Sequence, residues 1–198
     1  MSRCLVTGHR GYIGSEVYKQ LKEAGHDVMG IDLVDGHDIL ECLKPDGDGN
    51  FHPHWFNFKP EYIFHLAAMP RIVYSIEHPV HVLENNVLSS LYVLQFARAC
   101  GTKRVIYSSS SSVVGNGRGP ENPYGASKLM PETLCGVWSR LYGLDTVCLR
   151  YFNVYSPDQK ADGPYATAVA NWMQHIRDDK NPFITGDGEQ LRDMAHKL

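Results

Sequence analysis

The feature that most limits how this chain folds is a glycine turn, Gly8-His9-Arg10-Gly11-Tyr12-Ile13-Gly14. It lies between an apolar run at Cys4-Leu5-Val6 and an amphipathic stretch from about Ser15 to Ala24. Glycine here lets a strand reverse tightly into a helix and lets a ligand reach main-chain N–H groups at the helix's positive end. A second apolar run, residues 26–31, ends at Asp32, 18 residues beyond Gly14. A carboxylate there accepts hydrogen bonds from both hydroxyls of an adenosine ribose and repels a 2′-phosphate. The turn and its acid therefore predict an adenine dinucleotide, NAD in preference to NADP. Arg10 argues the other way, because an arginine in the turn suits a phosphate.

The rest of the chain alternates short apolar runs with longer amphipathic ones. Residues 61–65, 104–108 and 145–150 read as further strands, with 182–185 as a sixth. Helices are expected over 79–99, where Leu83, Val87, Leu91 and Leu94 share one side, over 124–142, and over 165–177. Residues 35–58 are rich in Gly, Pro, Asp and His and read as mostly loop with one short helix. Such alternation predicts an α/β, doubly wound parallel sheet of Rossmann type. The expected division is a dinucleotide-binding domain over 1–160 and the start of a substrate-binding region over 161–198.

Composition removes several other classes. With 19 Lys and Arg against 22 Asp and Glu the formal charge is −3, so bulk electrostatic binding of nucleic acid is not expected. No apolar run approaches the roughly 18 residues that span a bilayer, and the start lacks a signal-peptide core. Five cysteines without a CxxC pair read as reduced thiols of a cytoplasmic protein. His52 and His54 tempt a metal reading, but neither has helical ligand spacing nor a completing acid or cysteine, so no metal is expected.

Tyr124-Gly125-Ala126-Ser127-Lys128 sets a phenol and an ammonium on one helical face. A free tyrosine, with a pKa of about 10, is a poor base near neutrality. A neighbouring lysine and a positive nicotinamide ring both favour the phenolate, so this pair is expected to acidify Tyr124. It follows a strand ending in Ser108-Ser109-Ser110-Ser111-Ser112, from which a hydroxyl can donate to a reacting sugar oxygen.

Together these residues resemble the extended short-chain dehydrogenase/reductase family, specifically its nucleotide-sugar epimerases and dehydratases. The resemblance runs from about residue 3 to 193 and takes in Thr7-Gly8-x-x-Gly11-x-x-Gly14, Asp32, Asp38-Ile39, His65-Leu66-Ala67-Ala68, Asn86-Val87 and Tyr124-x-x-x-Lys128. It continues through Leu149-Arg150-Tyr151-Phe152-Asn153-Val154-Tyr155 and Gly186-Asp187-Gly188-Glu189-Gln190-x-Arg192-Asp193, which are its most specific parts.

The resemblance implies roles by position. Gly8, Arg10, Gly11, Tyr12, Ile13 and Gly14 hold the cofactor together with Asp32, and Asp38 and Ile39 meet the adenine. Leu66, Ala67, Ala68, Asn86, Ser108 and Tyr151 line the same cofactor, with Tyr124 and Lys128 at its reactive end. Ser110, five residues before Gly115, is the implied catalytic serine; its serine neighbours leave that register open by one place. Tyr124 is the implied base and Lys128 its partner. Asn153 and Arg192 are implied contacts to the sugar diphosphate, Arg192 as a bidentate clamp. His65 reads as a packed strand-end residue. The apolar sides of the 79–99 and 124–142 helices imply a homodimer, and the nearest implied activity is a UDP-sugar 4-epimerase working through a transient 4-keto sugar.

Four departures accompany the resemblance. Val114 replaces the tyrosine of Val-Tyr-Gly, and the loop between Ser110 and Tyr124 is short for the family. Pro131 inside a helix removes the bond to the Ser127 carbonyl, at about 3 kcal/mol, and predicts a kink. The sequence ends at Leu198, where family members run on for roughly a third of their length, which reads as a short member, a truncated gene or a fragment. Three rivals stay open. A 4,6-dehydratase would need an acid pair where Ser111-Ser112 stand, and an NADPH-dependent GDP-sugar epimerase/reductase would contend with Asp32. The third is a catalytically inactive dinucleotide-binding protein.

Overall fold

The computed structural model describes residues 1–157, 159, 167–184, 186–189, 191 and 193–197. They form two units, Met1–Arg150 and Tyr151–Leu198. The boundary falls earlier than the expected 160, because residues 153–155 pair within the second unit rather than extending the main sheet.

In the first unit β1 (Arg3–Thr7), β2 (Asp27–Ile31), β3 (Tyr62–His65), β4 (Arg104–Ser110) and β5 (Asp145–Tyr151) lie in the order β2-β1-β3-β4-β5. The β1–β2, β1–β3 and β3–β4 pairings are parallel, with Thr7 opposite Ile31 on one side and His65 on the other. The chain thus leaves β1 in one direction to make β2 and in the other to make β3. That reversal opens a crevice at the carboxyl ends of β1 and β3, where open α/β sheets bind ligands.

Both faces of the sheet are covered, as the pattern of apolar runs predicts. Leu5, Ile31, Ile63 and Val105 are sealed on one face with Val93, Leu94 and Phe96 of α6 (Ser89–Cys100) and Cys135 of α7 (Pro123–Tyr142). Cys4, Val6 and Val28 face the other way and meet Val17, Tyr18 and Leu21 of α1 (Gly14–Glu23). Alternate residues of β1 therefore serve two separate cores, the period-two consequence of a strand buried on both sides.

The remaining elements refine the expectations. Residues 35–58 hold two short helices, α2 (Ile39–Cys42) and α3 (Pro53–Phe56), and a third, α4 (Ile72–Glu77), lies where no helix was read. The expected 79–99 helix is α5 (Pro79–Leu83) joined to α6 through a wide π-type turn over Glu84–Leu88. In α7 the Asn122 side chain accepts from the Gly125 N–H at 2.8 Å with Pro123 in the first turn, and Gly143 (φ +68°) closes the other end. The helix continues through the buried Pro131.

The second unit has β6 (Asn153–Tyr155), α8 (Ala168–Arg177) and β7 (Met194–His196), with β6 and β7 in parallel register, Asn153 opposite Met194. Residues 182–184 form no strand, contrary to the expected sixth one; Phe183 and Ile184 are exposed, and among the described residues that run pairs with no sheet.

Candidate active site

The glycine turn is as close-packed as its composition demands. Gly8 has φ +74°, and a Cβ there would stand 2.7 Å from the Ala67 main-chain nitrogen. A Cβ on Gly14 would overlap the Gly8 carbonyl oxygen, and one on Gly11 would lie 3.1 Å from it. Turn and β3 loop thus touch backbone to backbone at Gly8 and Ala67, with Leu66 and Ala68 half-buried on either side. Ile13 leads into α1 and no side chain caps that helix, so its first N–H groups are left without a side-chain acceptor. These features fit a dinucleotide pyrophosphate laid across the turn.

Asp32 ends β2 beside the turn. One carboxylate oxygen accepts from the Arg10 N–H at 2.8 Å, the other from the Val34 N–H at 3.0 Å. Asp38 accepts from the Leu40 N–H at 2.9 Å, which starts α2 and buries Ile39. The Arg10 guanidinium is engaged by Asp35, which the sequence reading did not single out.

Tyr124 and Lys128 lie one turn apart on α7 and both are buried. The Ser110 hydroxyl is near enough to the Tyr124 phenol to favour its ionised form, and its oxygen accepts from the Ser112 N–H at 3.2 Å. Ser109 turns instead to Glu132, at 2.5 Å, and Ser108 offers its carbonyl to the Lys128 ammonium at 2.8 Å. Of the serine run, Ser110 is the hydroxyl that the structure sets against the phenol.

The electrostatics differ from the expectation that Lys128 acidifies Tyr124. Burial pushes the phenol above its ordinary value, offset in part by the neighbouring Ser110 hydroxyl. Burial likewise brings Lys128 down to about 8. The reason is desolvation: both groups are sunk among helix and strand, and the ammonium is committed to a carbonyl.

A buried polar chain braces this region. The Thr7 hydroxyl lies 2.8 Å from His65 Nδ1 and accepts from the Ala67 N–H at 3.2 Å; His65 Nε2 lies 3.0 Å from the Ser90 hydroxyl, which donates to the Asn86 carbonyl at 2.7 Å. That polarity makes His65 a neutral Nε2–H tautomer, and burial holds its pKa down to about 3. The Asn86 side chain accepts from the Met69 N–H at 2.7 Å and donates to the Met69 carbonyl and to Ser127 Oγ at 2.9 Å. Both amide hydrogens are thereby used within the protein, so Asn86 positions the β3 loop against α7 instead of offering a donor to a ligand. It sits in the π-type turn, a distortion frequent at functional sites.

Tyr151 is the last residue of β5. In the second unit the Asn153 amide donates to the Asp193 carbonyl at 3.1 Å, beside the β6–β7 ladder. The two most specific motif segments thus meet at Asn153 and Asp193, just before the first pair of that ladder. Arg192 lies outside the described residues. Among the described residues no group of His, Cys, Asp and Glu is arranged to hold a metal, and no helix is long and apolar enough to cross a membrane.

A family model described as the NAD dependent epimerase/dehydratase family matches residues 4–197. A UDP-glucose 4-epimerase of Mycolicibacterium smegmatis is 32% identical over 98% of this chain and 69% of its own length. Among solved structures, a UDP-N-acetylglucosamine 4-epimerase from Methanobrevibacter ruminantium, in complex with UDP-N-acetylmuramic acid, superposes with a TM-score of 0.85 at 29% identity, over 99% of this chain and 69% of that one. A UDP-glucose 4-epimerase of Thermus thermophilus in complex with NAD gives 0.80 at 27% identity, over 98% and 70%. The chain thus spans about two thirds of the length of the proteins it resembles.

Proposed function

Because this chain belongs to the NAD dependent epimerase/dehydratase family, we propose that it acts as an NAD-dependent nucleotide-sugar epimerase at C4 of a UDP-sugar. The observation that carries the reading is the burial of Tyr124 and Lys128 one helical turn apart, with the Lys128 ammonium on the carbonyl of Ser108, two residues before Ser110. It lies at the carboxyl end of β4, next to the strand that borders the crevice.

In this reading the turn from Gly8 to Gly14 holds the pyrophosphate, Asp32 the adenosine ribose, and Asp38 with Ile39 the adenine. Leu66, Ala67, Ala68, Ser108 and Tyr151 line the remainder, while Asn86 fixes the loop against α7. When bound, NAD would supply a reversible hydride acceptor and a positively charged ring. Tyr124, as phenolate, takes the proton of the sugar 4-hydroxyl while the C4 hydrogen departs with its electron pair, leaving a ketone at C4. Ser110 donates a hydrogen bond to that oxygen in both directions, and Lys128 holds the nicotinamide ribose. After the ketone turns over, C4 regains its hydrogen on the opposite face and Tyr124 returns the proton. Asn153 and Arg192 are assigned to the diphosphate.

A homodimer through the 79–99 and 124–142 helices is part of the proposal, supported by Met130 and Leu141 standing exposed on α7; sedimentation of the purified protein at twice the monomer mass is expected. Five free thiols fit a reducing cytoplasm.

The test is incubation with NAD and UDP-glucose or UDP-galactose, followed by proton NMR. Interconversion of the two without net accumulation of NADH is expected, and Tyr124→Phe should slow it by about 10²–10⁴-fold. A 4-keto-6-deoxy product overturns the epimerase reading in favour of a dehydratase; dinucleotide binding without turnover of either sugar leaves a binding protein in its place.

A further inference from the structure

The sequence sets two residues at odds: Asp32 disfavours a 2′-phosphate, whereas Arg10, in the turn beside it, is the kind of residue that grips one. The structure joins both to a third. The Arg10 guanidinium forks onto Asp35, with Nε at 3.0 and 3.1 Å from its two oxygens and a terminal nitrogen at 2.9 Å. His9 Nε2 reaches the same carboxylate from the other side, at 2.9 Å. The His9 ring fits there because residue 30 is glycine: a Cβ at that position would lie 2.5 Å from the ring. The Tyr18 ring backs it at 5.0 Å.

Asp32 and Asp35 stand at either end of one 3₁₀ turn. Asp32 holds the main chain of residue 10 and Asp35 holds its side chain. The pairing favours ionisation of Asp35, whose carboxyl is held below the usual range chiefly by the Arg10 hydrogen bond.

We propose that Asp35 is a second residue selecting NAD over NADP, by engaging the one guanidinium in the glycine turn that would otherwise meet a 2′-phosphate. This rests on the cofactor reading above and deepens it. Selection at the ribose then has two parts. Asp32 occupies the hydroxyls and repels the phosphate, while Asp35 removes its natural counter-charge and adds a negative charge of its own. Because the Arg10 backbone touches Asp32, a freed guanidinium has only its own side chain's length to travel to a group placed at that carboxylate. An arginine so freed makes charge-assisted, bidentate contacts with phosphate.

The experiment is calorimetric binding, with no dependence on turnover, of NAD and NADP to wild-type protein, Asp35→Asn, Arg10→Met and the double variant. Asp35→Asn should raise the ratio of NADP to NAD affinity by about tenfold, the scale of one charge-assisted contact. Adding Arg10→Met should return that ratio toward its wild-type value. An unmoved ratio in Asp35→Asn overturns the inference. So does a gain that survives Arg10→Met, because repulsion alone would then account for it. Asp35→Ala serves as a second variant in which the residual amide contacts to His9 and Arg10 are absent, and it should show at least the same shift. Wild-type protein that binds neither dinucleotide fails the cofactor reading itself; wild-type protein that binds NAD, with variants of unchanged ratio, fails this inference alone.

Discussion

The two units use similar apolar residues to different ends. In the first, Ile63 is fully sealed in the sheet and both faces are covered, so the backbone carrying Ser110, Tyr124 and Lys128 is fixed by burial. In the second, Phe183 is 69% and Ile184 61% exposed, and among the described residues only Ser156 and Ala170 are buried. There a short parallel ladder and the Asn153–Asp193 hydrogen bond do the positioning. Residues proposed for proton transfer thus stand on the stiffer part, and those proposed to recognise the sugar diphosphate stand on the part with few buried apolar contacts.

The contrast is open to direct attack. Ile63→Ala should cost about 2–5 kcal/mol in urea unfolding, the range for opening a cavity in a sealed core. Ile184→Ala should stay within about 0.5 kcal/mol, as for a surface substitution. Comparable losses would mean that the second unit has a core of its own, and the contrast between a packed and a sparsely packed unit would fall.

An effect of similar size comes from pH. The ordinary histidine value is 6.5, but burial first, and the Lys128 charge second, bring His65 to about 3. Between those two values the unfolded chain takes up a proton that the native chain refuses. Stability is therefore fully present above 6.5 and lost as pH falls toward 3, by a few kcal/mol at about 1.4 kcal/mol per unit. Denaturation midpoints measured across that interval should show this acid limb, and His65→Gln should flatten it. A limb of equal steepness in the variant would assign it to other groups.

Much of the first unit was legible because its signals are local. The period-two apolar runs, the glycine turn and the four-residue step from Tyr124 to Lys128 are properties of contiguous sequence. What escaped depends on partners far along the chain or on burial. The β7 strand lies at the end of the sequence and exists through residues 153–155. The apolar run at 182–184 reads as a strand, yet among the described residues it pairs with no other. Lys128 was read as an acidifying partner for Tyr124, but adjacency on a helix says nothing of the desolvation both groups suffer. The Asp35–Arg10 pair had one available signal, an acid three residues beyond Asp32; only the 3₁₀ turn brings that acid round to the glycine turn.

The smallest effect tests the second unit alone. The Asn153 side chain donates to the Asp193 carbonyl next to the first pair of the β6–β7 ladder, and the Lys197 N–H donates to Tyr155 just beyond its last pair. Removing that amide in Asn153→Ala takes away one hydrogen bond worth about 1 kcal/mol. If the second unit is held by its ladder and little else, the loss should stay local. Amide exchange at Lys197 should quicken by about fivefold, the factor that 1 kcal/mol represents. Exchange at Leu5 and Ile63, deep in the first sheet, should keep the wild-type rate. Faster exchange at both places would show one cooperative structure and break the contrast. Unaltered exchange at Lys197 would mean that the ladder stands without Asn153, leaving the amide for the diphosphate, where it would register as a raised KM for the nucleotide sugar.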